Sequence, residues 1–174
     1  PDVYVFGAGH VGSSFARMAY EAGFRVHVID DREKFANAAL FPQGVETIVD
    51  DVPSWIAAHP LPPTAYAVIV TRGHRHDLDT LRSLATKPAR YVGLIGSRAK
   101  VKLLFDTLAA EGVSPESLGR VHAPIGLDIG AITPQEIAVS ILAEVIAVKQ
   151  GKDAGASAAP ISLKWDVPLA AADS

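Results

Sequence analysis

The chain has 174 residues, of which 49% are hydrophobic and 20% are charged, and its formal net charge is −3. This composition is typical of one globular domain with its own core, and it excludes a largely disordered chain. The small negative charge disfavours a nucleic-acid partner, and the lack of cysteine excludes a disulfide framework, a thiolate metal site and a cysteine nucleophile in this chain.

The first predicted unit is a βαβ segment with a glycine-rich turn. A β-rich run over 3–6 precedes the pattern G-x-G-x-x-G, a helical pattern follows, and a second strand over 25–30 ends in an acid. In this setting the turn and the helix N-terminus present backbone N–H groups to a phosphate, and the acid accepts ribose hydroxyls. We therefore predict a phosphate-bearing ligand at these residues: Gly7, Gly9, His10, Val11, Gly12, Asp30, Asp31 and Arg32.

The rest of the chain alternates predicted strands and helices. Strands are expected at 45–49, 65–70, 90–95 and 120–123, and helices near 52–58, 77–84, 98–110 and 134–149. This alternation predicts an α/β domain with a doubly wound parallel sheet and helices on both faces. The glycine fingerprint favours the Rossmann strand order 3-2-1-4-5-6 over the flavodoxin-like order.

Polar residues follow the fourth and fifth predicted strands, and both groups lie at helix starts. Basic side chains are unfavourable at the positive end of a helix dipole, so their presence there indicates that an anion binds nearby. The alternative is that these long side chains extend into solvent. The candidate ligand-binding residues are Thr71, Arg72, His74, His76, Gly96, Ser97 and Arg98.

A glycine-containing loop connects the sixth strand to the last helix. Gly126 and Gly130 can adopt positive φ and turn backbone N–H groups toward a ligand, and Asp128 lies between them. The alternative is that these residues only shape a long turn. Histidines near the same edge leave a metal site open, but their spacing does not favour one, and we predict neither a metal site nor a catalytic residue.

The domain is expected to span residues 1–150, followed by a Gly/Ala/Ser-rich linker and tail over 151–174. Apolar and polar residues alternate over 161–167, which is the pattern of an added edge strand in this chain or a neighbouring one, or of a tail with chance alternation. The sequence lacks the run of about 18–20 apolar residues that a membrane span requires, so we expect a cytoplasmic protein with no membrane partner.

Five blocks of the chain resemble the C-terminal Rossmann domain of the xanthine dehydrogenase accessory factor family (XdhC/CoxI type). The blocks are FGAGHVG at 6–12, VIDDR at 28–32, VTRGHRHD at 70–77, YVGLIGSRAK at 91–100 and HAPIGLDIGAITPQEIAVSILAEVIAVK at 122–149. The resemblance implies a chaperone that binds molybdenum cofactor, as molybdopterin or its dinucleotide form. It further implies that the cofactor is sulfurated with a cysteine desulfurase and inserted into an apo molybdenum hydroxylase such as xanthine dehydrogenase.

The sequence leaves other functions open. The family's smaller, cysteine-bearing N-terminal domain does not match any part of this sequence, so sulfur handling by this chain alone is not implied. The same glycines and Asp30 are also typical of an NAD(P)-binding oxidoreductase or an NAD-sensing regulatory domain. Asp30 and Asp31 disfavour a 2′-phosphate, whereas Arg32 favours one. A two-fold homodimer is expected because it is the commonest assembly.

Overall fold

The computed structural model describes residues 1–152, and the predicted tail lies outside these residues. Its six strands are β1 (Asp2–Phe6), β2 (Arg25–Asp30), β3 (Glu46–Val49), β4 (Tyr66–Ile69), β5 (Tyr91–Leu94) and β6 (Val121–His122). Its α-helices are α1 (His10–Glu21), α2 (Val52–Ala58), α3 (Gly73–Leu84), α4 (Arg98–Ala110), α5 (Pro115–Gly119) and α6 (Pro134–Lys149).

All strand pairs are parallel, and the sheet order is β3-β2-β1-β4-β5-β6. This confirms the doubly wound Rossmann sheet predicted from the glycine fingerprint. Each predicted strand is present, although most are one or two residues shorter than expected. The helix α5 was not predicted, although Ser114 caps it and Pro115 opens it, which are ordinary signals of a helix start.

The sheet is covered on both faces, and each face has its own hydrophobic core. Helices α1 and α6 pack together on one face, where Phe15 and Ile141 are fully buried. Helices α2 to α5 cover the other face, where Ile56 and Leu104 are buried. The central strand β4 is buried along its whole length, as expected for a parallel strand between two layers of helices.

The last helix begins as the sequence predicts. The Thr133 side chain accepts the Glu136 backbone N–H, and the Glu136 carboxylate accepts the Thr133 N–H in return, which completes a capping box. One of the buried residues of this helix is acidic. Glu144 is fully buried on α6, where it accepts the Tyr91 hydroxyl at 2.6 Å and the Gly126 N–H at 3.3 Å.

No helix within residues 1–152 is both long and apolar enough to cross a membrane.

Candidate ligand-binding cleft at the switch point

Two of the three glycines in the first turn are required by packing. Gly7 has φ +109°, and a Cβ there would lie 2.5 Å from the Val70 carbonyl oxygen. A Cβ on Gly12 would lie 1.9 Å from the Gly7 carbonyl oxygen. Any larger residue at position 12 would therefore force α1 away from the loop. Gly9 is different, because no atom lies within 4 Å of the position its Cβ would take. Its backbone is therefore accessible to a ligand.

The loops after β1 and β4 lie side by side, as the predicted strand order requires. The Val70 N–H donates to the Phe6 carbonyl at 2.9 Å, and Gly7 lines the same small cleft as Thr71 and Arg72. The glycine turn and the loop after β4 therefore border one cleft. This is the point where the strand order reverses and where open α/β sheets bind their ligands.

The two helices that begin at this point lack side-chain caps. Gly9, which has no side chain, is the N-cap of α1, and Arg72, whose guanidinium cannot accept a hydrogen bond, is the N-cap of α3. The other four α-helices of residues 1–152 have a capping side chain, from Asp51, Ser97, Ser114 and Thr133. The first N–H groups of α1 and α3, including those of His10 and Val11, therefore have no capping side chain and are available to an anion.

The acid at the end of β2 is surrounded by donors of its own chain. The Asp30 carboxylate accepts the Ala8 N–H at 2.7 Å, the Arg32 N–H at 2.9 Å and two guanidinium N–H groups of Arg32 at 2.9 Å. Burial raises its pKa, but these hydrogen bonds outweigh burial and lower it to about 2. The Arg32 guanidinium also lies 3.9 Å from the centroid of the Phe35 ring. Asp30 therefore fixes the glycine turn to the end of β2.

A second ion pair crosses the cleft. A guanidinium nitrogen of Arg72 lies 3.5 Å from the carboxylate of Asp31, and both side chains are about half exposed. His76 and Asp51 line the same space, which encloses only about 20 Å³. A cavity of this size holds about one water molecule. The adenosine end of a classical dinucleotide site is therefore closed in this structure.

The start of α4 is tied to the loop after β4. Asp77 is fully buried, and its carboxylate accepts hydrogen bonds from the Thr71 hydroxyl and the Lys100 ammonium. Burial raises the pKa of the Asp77 carboxyl, although the Lys100 and Thr71 contacts oppose that shift. Lys100 thus has a partner within the protein. Arg98 remains exposed at the start of the same helix, beside the capping residue Ser97.

A larger groove opens at the carboxyl ends of β5 and β6. It encloses about 310 Å³, and Gly96 and Asp128 lie on its walls with apolar residues of the 124–131 loop. Gly126 has φ +95° as predicted, but it is buried and its N–H donates to Glu144. Its role in this structure is to fit the loop against α6, since a Cβ there would lie 2.5 Å from the Ser140 hydroxyl.

The predicted histidines are dispersed. His10, His74 and His76 are exposed, whereas burial lowers the pKa of His122 to about 4. Among residues 1–152, no three His, Asp or Glu side chains are grouped so that they could hold a metal ion. Sequence reasoning missed Asp77 and Glu144 as buried acids. Asp77 ends the segment VTRGHRHD at 70–77, and an acid beside several basic residues was the signal that could have indicated a buried ion pair.

Comparisons with known proteins agree with this geometry. Residues 3–145 match the model of the XdhC Rossmann domain. The chain is 36% identical over 156 residues to the uncharacterized protein YqeB of Escherichia coli (strain K12) and 33% identical over 150 residues to a probable xanthine dehydrogenase subunit of Bacillus subtilis (strain 168). A crystal structure of a xanthine dehydrogenase from Bacillus halodurans matches with a TM-score of 0.75 and 27% identity over 86% of this chain.

The fold defines a Rossmann-type α/β domain with a cleft at its switch point. The chain belongs to the XdhC Rossmann-domain family, which confirms the resemblance found in the sequence. The matches cover 89% and 86% of this chain but only 28% and 43% of the two curated relatives, and 44% of the Bacillus halodurans chain. The chain thus spans less than half the length of these relatives.

Proposed function

We propose that this domain binds a molybdenum cofactor and serves the maturation of a xanthine dehydrogenase-like molybdenum hydroxylase. The observation that supports the proposal is the pair of uncapped helices, α1 and α3, at the switch point of a domain of the XdhC family. The cofactor supplies the redox chemistry of the target enzyme. The contribution of this chain is to hold the cofactor before it is transferred.

The residues of the cleft fit the anionic end of such a cofactor. The open space over Gly9 lets a phosphate approach the backbone, and the N–H groups of His10 and Val11 begin a helix whose dipole favours a negative charge. Arg72 and Arg98 supply cations at the starts of α3 and α4. Sulfuration would need an external sulfur donor, for which we propose a cysteine desulfurase, and this chain contains no cysteine that could carry the sulfur as a persulfide.

The first experiment measures the pterin bound to protein purified from cells that make molybdenum cofactor. The bound material is oxidised and its fluorescent pterin is quantified for the parent, for Gly9→Ala and for the matched control Gly119→Ala. No atom lies within 4 Å of the Cβ position at either glycine, and neither has a positive φ, so both variants are expected to fold. The Cβ at position 9 takes the place of the phosphate, so we expect at least a tenfold loss of pterin for Gly9→Ala alone.

Equal pterin in all three proteins would contradict the role of the glycine turn, and a parent without pterin would contradict the proposed function. A second assay tests transfer. Protein loaded with cofactor is mixed with an apo molybdenum hydroxylase, and the gain of hydroxylase activity is compared with that from Gly9→Ala.

The alternative function is an NAD(P)-binding oxidoreductase or NAD-sensing domain, which the glycine fingerprint also favours. The structure disfavours it, because the carboxylate that would accept ribose hydroxyls is already engaged by Ala8 and Arg32. An adenine dinucleotide in the extract, in place of a pterin, would support this alternative.

A further inference from the structure

Two separate spaces of very different size open at the carboxyl edge of the sheet, one toward β2 and one toward β5 from the glycine turn. At the β2 end, the space between Asp30, Arg32 and Arg72 encloses about 20 Å³. At the β5 end, the groove beside Gly96 and Asp128 encloses about 310 Å³. Small-molecule sites typically have volumes of about 300–1,000 Å³, so only the β5 end has room for a ring system.

The β2 end is held closed by contacts that would have to be broken to open it. The Arg32 guanidinium forms a two-pronged ion pair with the buried Asp30 carboxylate and lies over the Phe35 ring. Charge-assisted pairs of this geometry are among the stronger polar contacts in proteins. The side chain therefore occupies the position where a ribose would meet Asp30.

The β5 groove has the chemistry of a site for a flat, nitrogen-rich ring. Its walls are mostly apolar, from Ile95, Pro124, Leu127 and Ile137, and apolar side chains of this kind suit the face of a ring. The exposed Asp128 carboxylate is an acceptor with two oxygens, which suits the paired N–H donors of a 2-aminopyrimidinone edge. Two strand spacings of about 4.8 Å separate β1 from β5, so the groove begins about 10 Å from the glycine turn. This distance suits a tricyclic pterin with a terminal phosphate.

We infer that the ligand extends from the glycine turn toward β5, with its pterin ring in the groove between Gly96 and Asp128, and that the domain takes the monophosphate form in preference to the dinucleotide form. The inference rests on the proposed function and specifies its ligand. A dinucleotide form would have to place its nucleoside at the end closed by Arg32. The monophosphate form needs only the α1 N-terminus and the β5 groove.

The test is a fluorescence titration of the purified protein with an oxidised 6-alkylpterin monophosphate, with NAD⁺ as the nucleotide probe. Ala131→Phe fills the groove, and Asp128→Asn removes the charged acceptor. The control Ala57→Phe makes the same change as the first variant on the exposed surface of α2. We expect at least a tenfold loss of pterin affinity for Ala131→Phe, about a threefold to tenfold loss for Asp128→Asn, and parental affinity for Ala57→Phe, with equal melting temperatures throughout.

A third variant tests the closed end. Arg32→Ala opens the space beside Asp30, so NAD⁺ affinity is expected to rise at least tenfold relative to the parent. A loss of pterin affinity in Arg32→Ala as large as that in Ala131→Phe would place the ring at the β2 end and overturn the inference.

Failure of the inference is distinguishable from failure of the proposed function. If the parent and Ala131→Phe bind the pterin phosphate equally, the inference is wrong and the proposed function stands. If the parent binds no pterin phosphate, the proposed function is wrong. Amide hydrogen–deuterium exchange of the protein with and without NADH then tests only the direction in which a bound ligand extends from the glycine turn. Protection at 95–97 and 124–131 supports it, and protection at 30–32 and 50–52, or no binding of either probe, contradicts it.

Discussion

At the scale of single residues, Asp30 is the most consequential side chain of the cleft, because its low pKa connects folding to pH. The folded pKa is about 2, below the ordinary value of 3.8, so Asp30 stabilises the fold above about pH 4 and loses that contribution as pH falls toward 2. A shift of this size corresponds to about 2 kcal/mol. We expect Asp30→Asn to reduce the difference in unfolding free energy between pH 7 and pH 2 by about that amount.

Urea unfolding at the two pH values measures this difference. Asp50→Asn, at an exposed position beside the same loops, provides the control and should leave it nearly unchanged. If Asp30→Asn retains the full pH dependence of the parent, the contacts of Asp30 do not stabilise the fold as described.

Lys100 and Arg98 look alike in the sequence but have different roles in the structure. Lys100 neutralises the buried Asp77, whereas Arg98 is exposed at the beginning of α4. Removing the ammonium leaves the buried Asp77 carboxylate without its cationic partner. The loss of a charged hydrogen bond costs about 1.5–3 kcal/mol. We expect Lys100→Met to lower the unfolding free energy by that amount at pH 7, and less at pH 5, where the buried carboxyl is more easily protonated.

Arg98→Met is the control, with an expected change within about 0.5 kcal/mol, which is usual for surface positions. Equal effects of the two substitutions in chemical denaturation would contradict this assignment.

At the scale of elements, the loops after β2 and β4 are linked by the ion pair of Asp31 and Arg72. This pair is about half exposed, so its own contribution to stability is small, at about 0–1 kcal/mol.

Asp31 nevertheless competes with a ligand anion for Arg72. We expect Asp31→Asn to tighten phosphate-ligand binding by up to about fivefold, and Arg72→Ala to weaken it by about 1.5–3 kcal/mol. Calorimetric titration with the pterin monophosphate measures both, and weaker binding by Asp31→Asn would show that Asp31 helps to bind the ligand.

The elements were largely predictable because their signals are local. Hydrophobic alternation, the glycine fingerprint and the Thr133–Glu136 capping box each lie within a few residues, and the structure has the corresponding strands, turn and helix start. The partners of the site residues were not predictable. Asp30 meets Ala8 and Lys100 meets Asp77 across 22 and 23 residues of sequence, so these contacts depend on the packing of whole elements.

The shapes of the spaces beside Asp30 and beside Asp128 were likewise not predictable from local signals. The sequence indicated an acid for ribose hydroxyls at Asp30, but the orientation of Arg32 over it follows from Phe35, which no motif marked. Asp128 was predicted as a ligand residue from its position between two glycines. The structure places it on a groove wall, and its contact with a ligand remains a prediction.

At the scale of the whole molecule, one sheet supports two cores, and both cores need residues that are distant in sequence. The family match covers elements of both cores, since it runs from residue 3 to residue 145. The homodimer, the target enzyme and the cysteine desulfurase remain predictions, and size-exclusion chromatography with light scattering would establish the assembly.

The packing of α6 on α1 brings the last described helix against the first, with Phe15 and Ile141 both fully buried in that core. During synthesis the N-terminal βαβ unit leaves the ribosome long before α6 does. Until α6 arrives, the apolar face formed by β1, β2 and α1 lacks its cover, and exposed surfaces of this kind attract chaperones or aggregate. The groove beside β5 is lined in part by Ile137 and Ser140 of α6. A nascent chain therefore cannot present this groove until α6 has docked.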